Sequence, residues 1–136
     1  MKGFDSAYIV SPGHIDRTKI TLNAVKAAKL AGIKYILVVS VPLVGTPALF
    51  GKQFTEIEAG VKASGIHYGL LRLPMFIDNN WGNAGTIASS GAFYGPVAGN
   101  VEYVTVAIKD AADVAVEILQ NTAKHQNVTY TLTSSK

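Results

Sequence analysis

The residues best placed to do chemistry lie in one block, Gly65 to Asn80, reading GIHYGLLRLPMFIDNN. A glycine that ends a helix is followed by a short apolar run, Tyr68 to Leu71, which reads as a strand. Beyond its carboxyl end stand Arg72, Pro74, the aromatic Phe76 and a polar cluster of Asp78, Asn79 and Asn80. Open parallel sheets bind ligands just outside the carboxyl ends of their strands, so the block reads as one lip of a cofactor crevice. Other chemistries find no foothold. His14, His67 and His125 share no metal-ligand spacing, no acid is placed to complete a site, and no cysteine is present. There is no G-x-S-x-G elbow for a nucleophilic serine. Gly82-Asn83-Ala84-Gly85 and the series Gly91, Gly95, Gly99 are glycine-rich. Neither joins an apolar strand to a helix start, as cradling a phosphate requires.

The elements that must position this block follow from hydrophobic period and from breakers. Ala7 to Val10 reads as a strand closed by Ser11-Pro12-Gly13. Asp16 is the expected N-cap of the next helix, with Ile20, Ala24, Ala27 and Ala31 on its buried side and Gly32 as a left-handed cap. Tyr35 to Val39, YILVV, is a continuous apolar run suited to a parallel strand covered on both faces. Thr46-Pro47 should cap and start a second helix, whose face is Phe50, Phe54, Ile57 and Val61 and which Gly65 closes. Gly82 to Asn100 is expected to be loop with short irregular pieces. Tyr103 to Ile108 reads as a strand, and Asp110 with Asp113 as a capping arrangement for a helix with Ala111, Val114, Ala115 and Ile118 inward. Val128, Tyr130 and Leu132 alternate with threonines, the period of a half-buried edge strand. Strands alternating with helices predict right-handed βαβ units, an α/β fold and one domain.

Composition narrows the partners. The 136 residues are 49% hydrophobic and 15% charged, apolar for a small free-standing domain. The net charge of +3 comes from scattered Lys and Arg with no basic run, which argues against nucleic acid. No apolar run approaches the ~18 residues of a membrane helix, and no signal peptide opens the chain. With no cysteine, a reducing, cytoplasmic setting is expected.

The order of segments DSAYIVSP, AAKLAGIKYILVVS, IEAGVKASGIHYGLLRLPMFIDNN, VTVAIKDAADVAVEIL and VTYTLT resembles the NmrA-like group of atypical short-chain dehydrogenases, which includes NAD(P)H:quinone oxidoreductase-like proteins. The resemblance covers nearly the whole chain. It implies a Rossmann-type three-layer parallel sheet with NAD(P) across the strand ends. It also implies that the chain is a partial domain, with the family's first strands and glycine-rich turn lying upstream of Met1. Without that turn, the span alone is expected to bind a dinucleotide weakly. The strand Ala7 to Val10 would then be an exposed edge, open to pairing with a second copy or another chain.

By resemblance, Ser11, Pro12, Gly13, Ser40, Pro42, Pro74, Met75 and Phe76 lie along the cofactor. Ser40 also matches a serine or threonine that polarises a carbonyl in related dehydrogenases. Phe76, Asn79, Asn80 and Trp81 match a substrate mouth, where an aromatic ring could stack on a flat ring such as a quinone. Plain structural readings stand beside these: a strand-to-helix turn at Ser11, a helix-approach serine at Ser40, aromatic packing at Trp81. The chain departs from the pattern on the catalytic helix. If Glu58 is the glutamate that follows Tyr-x-x-x-Lys, then Phe50 and Phe54 replace the tyrosine and the lysine. Neither can donate a proton or hold a ribose hydroxyl, which argues against carbonyl reduction by that pair. Three functions stay open: an NAD(P)H-dependent reductase of quinone-like substrates, a redox-sensing or protein-binding regulator without turnover, and an inactive truncated product.

Overall fold

The computed structural model describes residues 3–95 and 103–133. Its elements in order are β1 (Ser6–Ile9), α1 (Arg17–Leu30), β2 (Tyr35–Ser40), α2 (Leu49–Ala63), β3 (His67–Arg72), β4 (Met75–Phe76), a 3-10 segment (Ile77–Asn83), α3 (Ala84–Ser90), β5 (Thr105–Val106), α4 (Ile108–Gln120), a short 3-10 turn (Thr122–Lys124) and β6 (Val128–Thr131). Four strands form one parallel sheet in the order β1-β2-β3-β6. β4 and β5 pair in parallel as a separate two-stranded piece.

Side chains of a strand alternate between faces, and β2 shows what that divides. Ile36 and Val38 join Ile9 and Leu70 on one face, where Val25 and Ala28 of α1 and Phe54, Ile57 and Val61 of α2 cover them. Tyr35 and Leu37 join Leu71 on the other face, under Ala111, Ala115 and Ile118 of α4. The result is three layers, α1 and α2 on one side and α4 on the other, around a β2 buried nearly throughout. This is the Rossmann-type α/β architecture expected from the alternation of elements. β1 and β6 are the edges, and β6 carries the expected alternation of half-buried Val128 and Tyr130 with exposed Thr129 and Thr131.

Several local expectations are corrected. α1 buries Arg17, Thr21, Val25 and Ala28, and Ile20 is exposed. The stripe is shifted because alanines make a weak apolar signal on every face. Asp16 makes no side-chain cap; its own N–H donates to His14 Nδ1 at 3.0 Å. Thr46 does not cap α2 either: its hydroxyl donates to the Leu43 carbonyl at 2.8 Å, and the helix starts at Leu49. The stretch read as loop from Gly82 holds the end of the 3-10 segment and α3, closed by Gly91 at φ 64°. Its part from 96 to 100 lies outside the described residues. The strand expected over Tyr103 to Ile108 is only Thr105–Val106, because α4 begins at Ile108. The cap of α4 is remote. Asp78 Oδ2 accepts from Ile108 N at 2.8 Å, while Asp113 pairs with Lys109. Gly32 and Gly65 do close α1 and α2 in the left-handed conformation, both at φ 78°.

Gly69 in β3 is a packing requirement. A Cβ there would run into the Tyr35 hydroxyl and come within 3.0 Å of Leu37 Cδ1. That hydroxyl crosses β3 to donate to the His125 carbonyl at 2.9 Å, tying β2 to the turn before β6. Burial, and then the neighbouring Tyr130, push the Tyr35 phenol up to about 12, so it stays a donor at physiological pH. Gly69→Ala is expected to lower stability by about 1–3 kcal/mol, as overpacking a core does. Denaturant unfolding reads this loss, and an unchanged midpoint would contradict the close approach.

Candidate functional site at the carboxyl edge of the sheet

Three polar side chains meet beneath the ends of β2 and β3. Ser40, the last residue of β2, donates its hydroxyl to Glu58 Oε1 at 2.7 Å. Arg72, the last residue of β3, grips the same carboxylate with both prongs, Nε to Oε1 at 2.8 Å and Nη2 to Oε2 at 2.7 Å. Glu58 rises from the middle of α2 with its side chain 3% exposed, and Lys62 one turn on approaches Oε2 at 3.7 Å. Burial pushes the Glu58 carboxyl up. The hydrogen bonds from Arg72 and Ser40, with the charges of Arg72 and Lys62, outweigh burial and hold it below the usual carboxylate range. The same pairing raises Arg72. This network was not read from the sequence as a unit. Its signal was an acid beside Ile57 on an otherwise apolar helix face, with an arginine and a serine at two successive strand ends.

Of the two readings of Ser40, the geometry favours the structural one, a buried strut. It is fully buried and its proton goes to Glu58, so it presents no donor to a bound carbonyl. Phe54 lies in the core at 4% exposure, as expected, but Phe50 is exposed at the start of α2.

Directly above the network, the chain leaves both strands through proline-containing turns. Val41, Pro42, Leu43, Pro74 and Met75, with Tyr103 and Val104 from across the gap, enclose an apolar cleft of about 330 Å³. Leu73 N donates to the Ser40 carbonyl at 3.0 Å, which carries the β2–β3 pairing to the rim of this cleft. Pro42, Pro74 and Met75 of the expected cofactor residues are thus brought together. The remaining candidates are dispersed. Phe76, the next residue of β4, faces a second cavity of about 310 Å³ with Tyr8, Leu73, Ile108 and Ala111. Asn80 and Trp81 line a third, of about 460 Å³, with Ile77, Ala84, Ile87 and Ala88. Trp81 is 80% exposed on the rim of that third cavity, and Asn79 is exposed on the same 3-10 segment. Ser11 accepts a hydrogen bond from Thr21 at 2.9 Å, and Pro12 and Gly13 are exposed beside it.

Side chains at parallel strand ends, lining an apolar cleft over a three-layer sheet, define a Rossmann-type NAD(P)-binding fold. Solved structures that share it include reductases and a nucleoside-diphosphate-sugar epimerase of Staphylococcus aureus. The chain is 29% identical to an NAD(P)H azoreductase of Xenophilus azovorans over 96% of its length, and spans 46% of that protein. It superposes on the NADPH-dependent quinone oxidoreductase of Escherichia coli, solved with NADPH, with a TM-score of 0.84 at 27% identity, covering 98% of this chain and 47% of that one. The triphenylmethane reductase of Citrobacter sp. gives a TM-score of 0.84 at 26% identity, over 99% of this chain and 48% of the other. No family model matches the sequence. The chain spans about half the length of each of these relatives.

The carboxylate network makes a pH-dependent prediction. Glu58→Gln leaves Arg72 with a neutral partner in a largely buried setting and should cost roughly 3 kcal/mol at neutral pH. Because the folded carboxyl is held below its unfolded value, the pair's contribution is complete above the unfolded value. It is lost as pH falls through the folded one. The stability gap between wild type and Glu58→Gln should therefore close on acidification. A gap that stays constant with pH would show that the loss is steric and not electrostatic.

Proposed function

We propose that this chain forms the strand-end half of an NAD(P)H-dependent reductase acting on flat, electron-poor rings of the quinone or azo-dye kind. The observation that carries the reading is the apolar cleft of Pro42, Leu43, Pro74 and Met75 at the carboxyl ends of two adjacent parallel strands, where such folds hold their ligands. Support comes from relatives that are themselves an azoreductase and a quinone oxidoreductase. Bound NAD(P)H would supply the hydride. The residues of this chain would hold two flat partners in contact and keep water out of the gap, which proximity alone rewards strongly. That division suits a helix with phenylalanines at positions 50 and 54, because a ring that accepts hydride directly needs no tyrosine–lysine pair. Asn79, Asn80 and Trp81 would then serve the approach of the substrate from the third cavity and its rim, Phe76 its approach from the second cavity, and Ser11 to Gly13 the outer border of the cofactor path.

Oxidation of NADPH in the presence of a simple quinone such as menadione tests the reading. Turnover is expected at NADPH concentrations high enough to offset weak dinucleotide binding, and Val104→Trp, which fills the cleft from its far wall, should reduce it at least tenfold while the circular dichroism spectrum stays the same. Turnover indifferent to that substitution would place the reaction elsewhere. The edge of β1, unpaired among the described residues, carries a second expectation: with Tyr8 and Val10 exposed beside it, the chain should self-associate at micromolar concentration. Light scattering after size exclusion checks this, and a sharp monomer near 14.4 kDa would contradict it.

A further inference from the structure

Arg17 is a buried cation that forms no ion pair among the described residues. It is the first residue of α1 and is 8% exposed. Its guanidinium reaches across to the first turn of α2 and lies 4.0 Å over the Phe50 ring and 5.6 Å from Phe54. Nε is buried and has no hydrogen-bond partner among the described residues. Asp16, the adjacent acid, turns to His14 instead, with Oδ2 at 3.7 Å from Nδ1.

The surroundings compound the positive charge. α1 has 14 residues and α2 has 15, and neither has a side-chain cap or an acid in its first turn. Helix N-termini carry partial positive charge and unpaired N–H groups. The two starts are braced together: Gln53 Nε2 donates to the Ile15 carbonyl at 2.8 Å, and Thr18 donates to the Gln53 carbonyl at 3.4 Å. A guanidinium with one face stacked on an aromatic ring can still offer an oxyanion a planar, two-pronged contact through its terminal Nη groups. The aromatic face offsets part of the cost of burying the charge but supplies no acceptor for its N–H groups.

We propose that Arg17, with the N-terminal turns of α1 and α2, forms a binding site for a phosphate-type oxyanion. The site itself stands on Arg17 and the helix starts; only the identity of its ligand rests on the reductase reading. The oxyanion has two sources, a phosphate of a dinucleotide or an anionic substituent on a ring substrate.

Arginine Nε–H signals in an NMR titration with inorganic phosphate test the proposal on the wild-type chain. The sequence has only two arginines, Arg17 and Arg72, and Arg72 Nε is already bonded to Glu58, so it serves as an internal control. The Arg17 signal should move and saturate while the Arg72 signal stays still. Arg17→Met, which keeps the packing over Phe50, should weaken phosphate-dependent thermal stabilisation roughly tenfold in apparent affinity. Added NADPH and a naphthoquinone sulfonate then separate the sources, because the ligand that carries the natural oxyanion moves the Arg17 signal at the lower concentration. Two signals that move together without saturating, or an Arg17 signal indifferent to all three anions, would overturn the site.

Discussion

The Glu58 carboxylate is the point where the helical layer and the sheet are joined at the carboxyl ends of the strands. It takes hydrogen bonds from the ends of two strands at once, one from Ser40 on β2 and two from Arg72 on β3. An ion pair at this depth gains little over an apolar replacement of both partners, because desolvation offsets most of the attraction. What it supplies is geometry. A bidentate guanidinium–carboxylate contact fixes distance and orientation together. α2 therefore cannot slide along β2 and β3 without breaking all three bonds, and the turns that leave those strands inherit a fixed starting point.

Those turns make the cleft. Pro42 and Pro74 limit the backbone where each strand ends. Gly51 lets the turn after β2 pack tightly on α2: a Cβ at that position would collide with Thr46 and come within 2.7 Å of its carbonyl oxygen. β4 then separates its two side chains, as a strand must, with Met75 toward the cleft and Phe76 toward the cavity under α4. The cleft is apolar apart from the Tyr103 hydroxyl. Such a lining can exclude water from a flat ring held against a nicotinamide, and that is what the proposed hydride transfer asks of it.

The layers of the fold were legible in the sequence because they rest on strong local signals. YILVV admits only a buried strand, Gly32 and Gly65 mark helix ends, and the threonine alternation around Tyr130 marks an edge. Signals failed where one residue type does two jobs. The alanines of α1 gave no clear face, so Thr21 and Arg17 turned inward unannounced. Thr46-Pro47 has the composition of a helix start, yet Thr46 closes a turn on Leu43. The glycines and alanines after Gly82 hid a short helix. At the candidate site, the places of Pro42, Pro74 and Met75 after strands foretold that they lie close together. The bond from Ser40 to Glu58 was not legible, because Glu58 comes from a different element 18 residues away. Long-range polar partners leave no periodic trace in a sequence.

The claim that the cleft above the Glu58 network receives the ring substrate can be tested at a single atom. Met75 is one of only two methionines in the chain, so its ε-methyl signal can be followed by carbon-13 labelling without ambiguity. With NADPH present, a quinone should shift the Met75 methyl by ring current and saturate, while the Met1 methyl stays still. A quinone that leaves Met75 unmoved while NADPH is being oxidised would contradict the placement of the site.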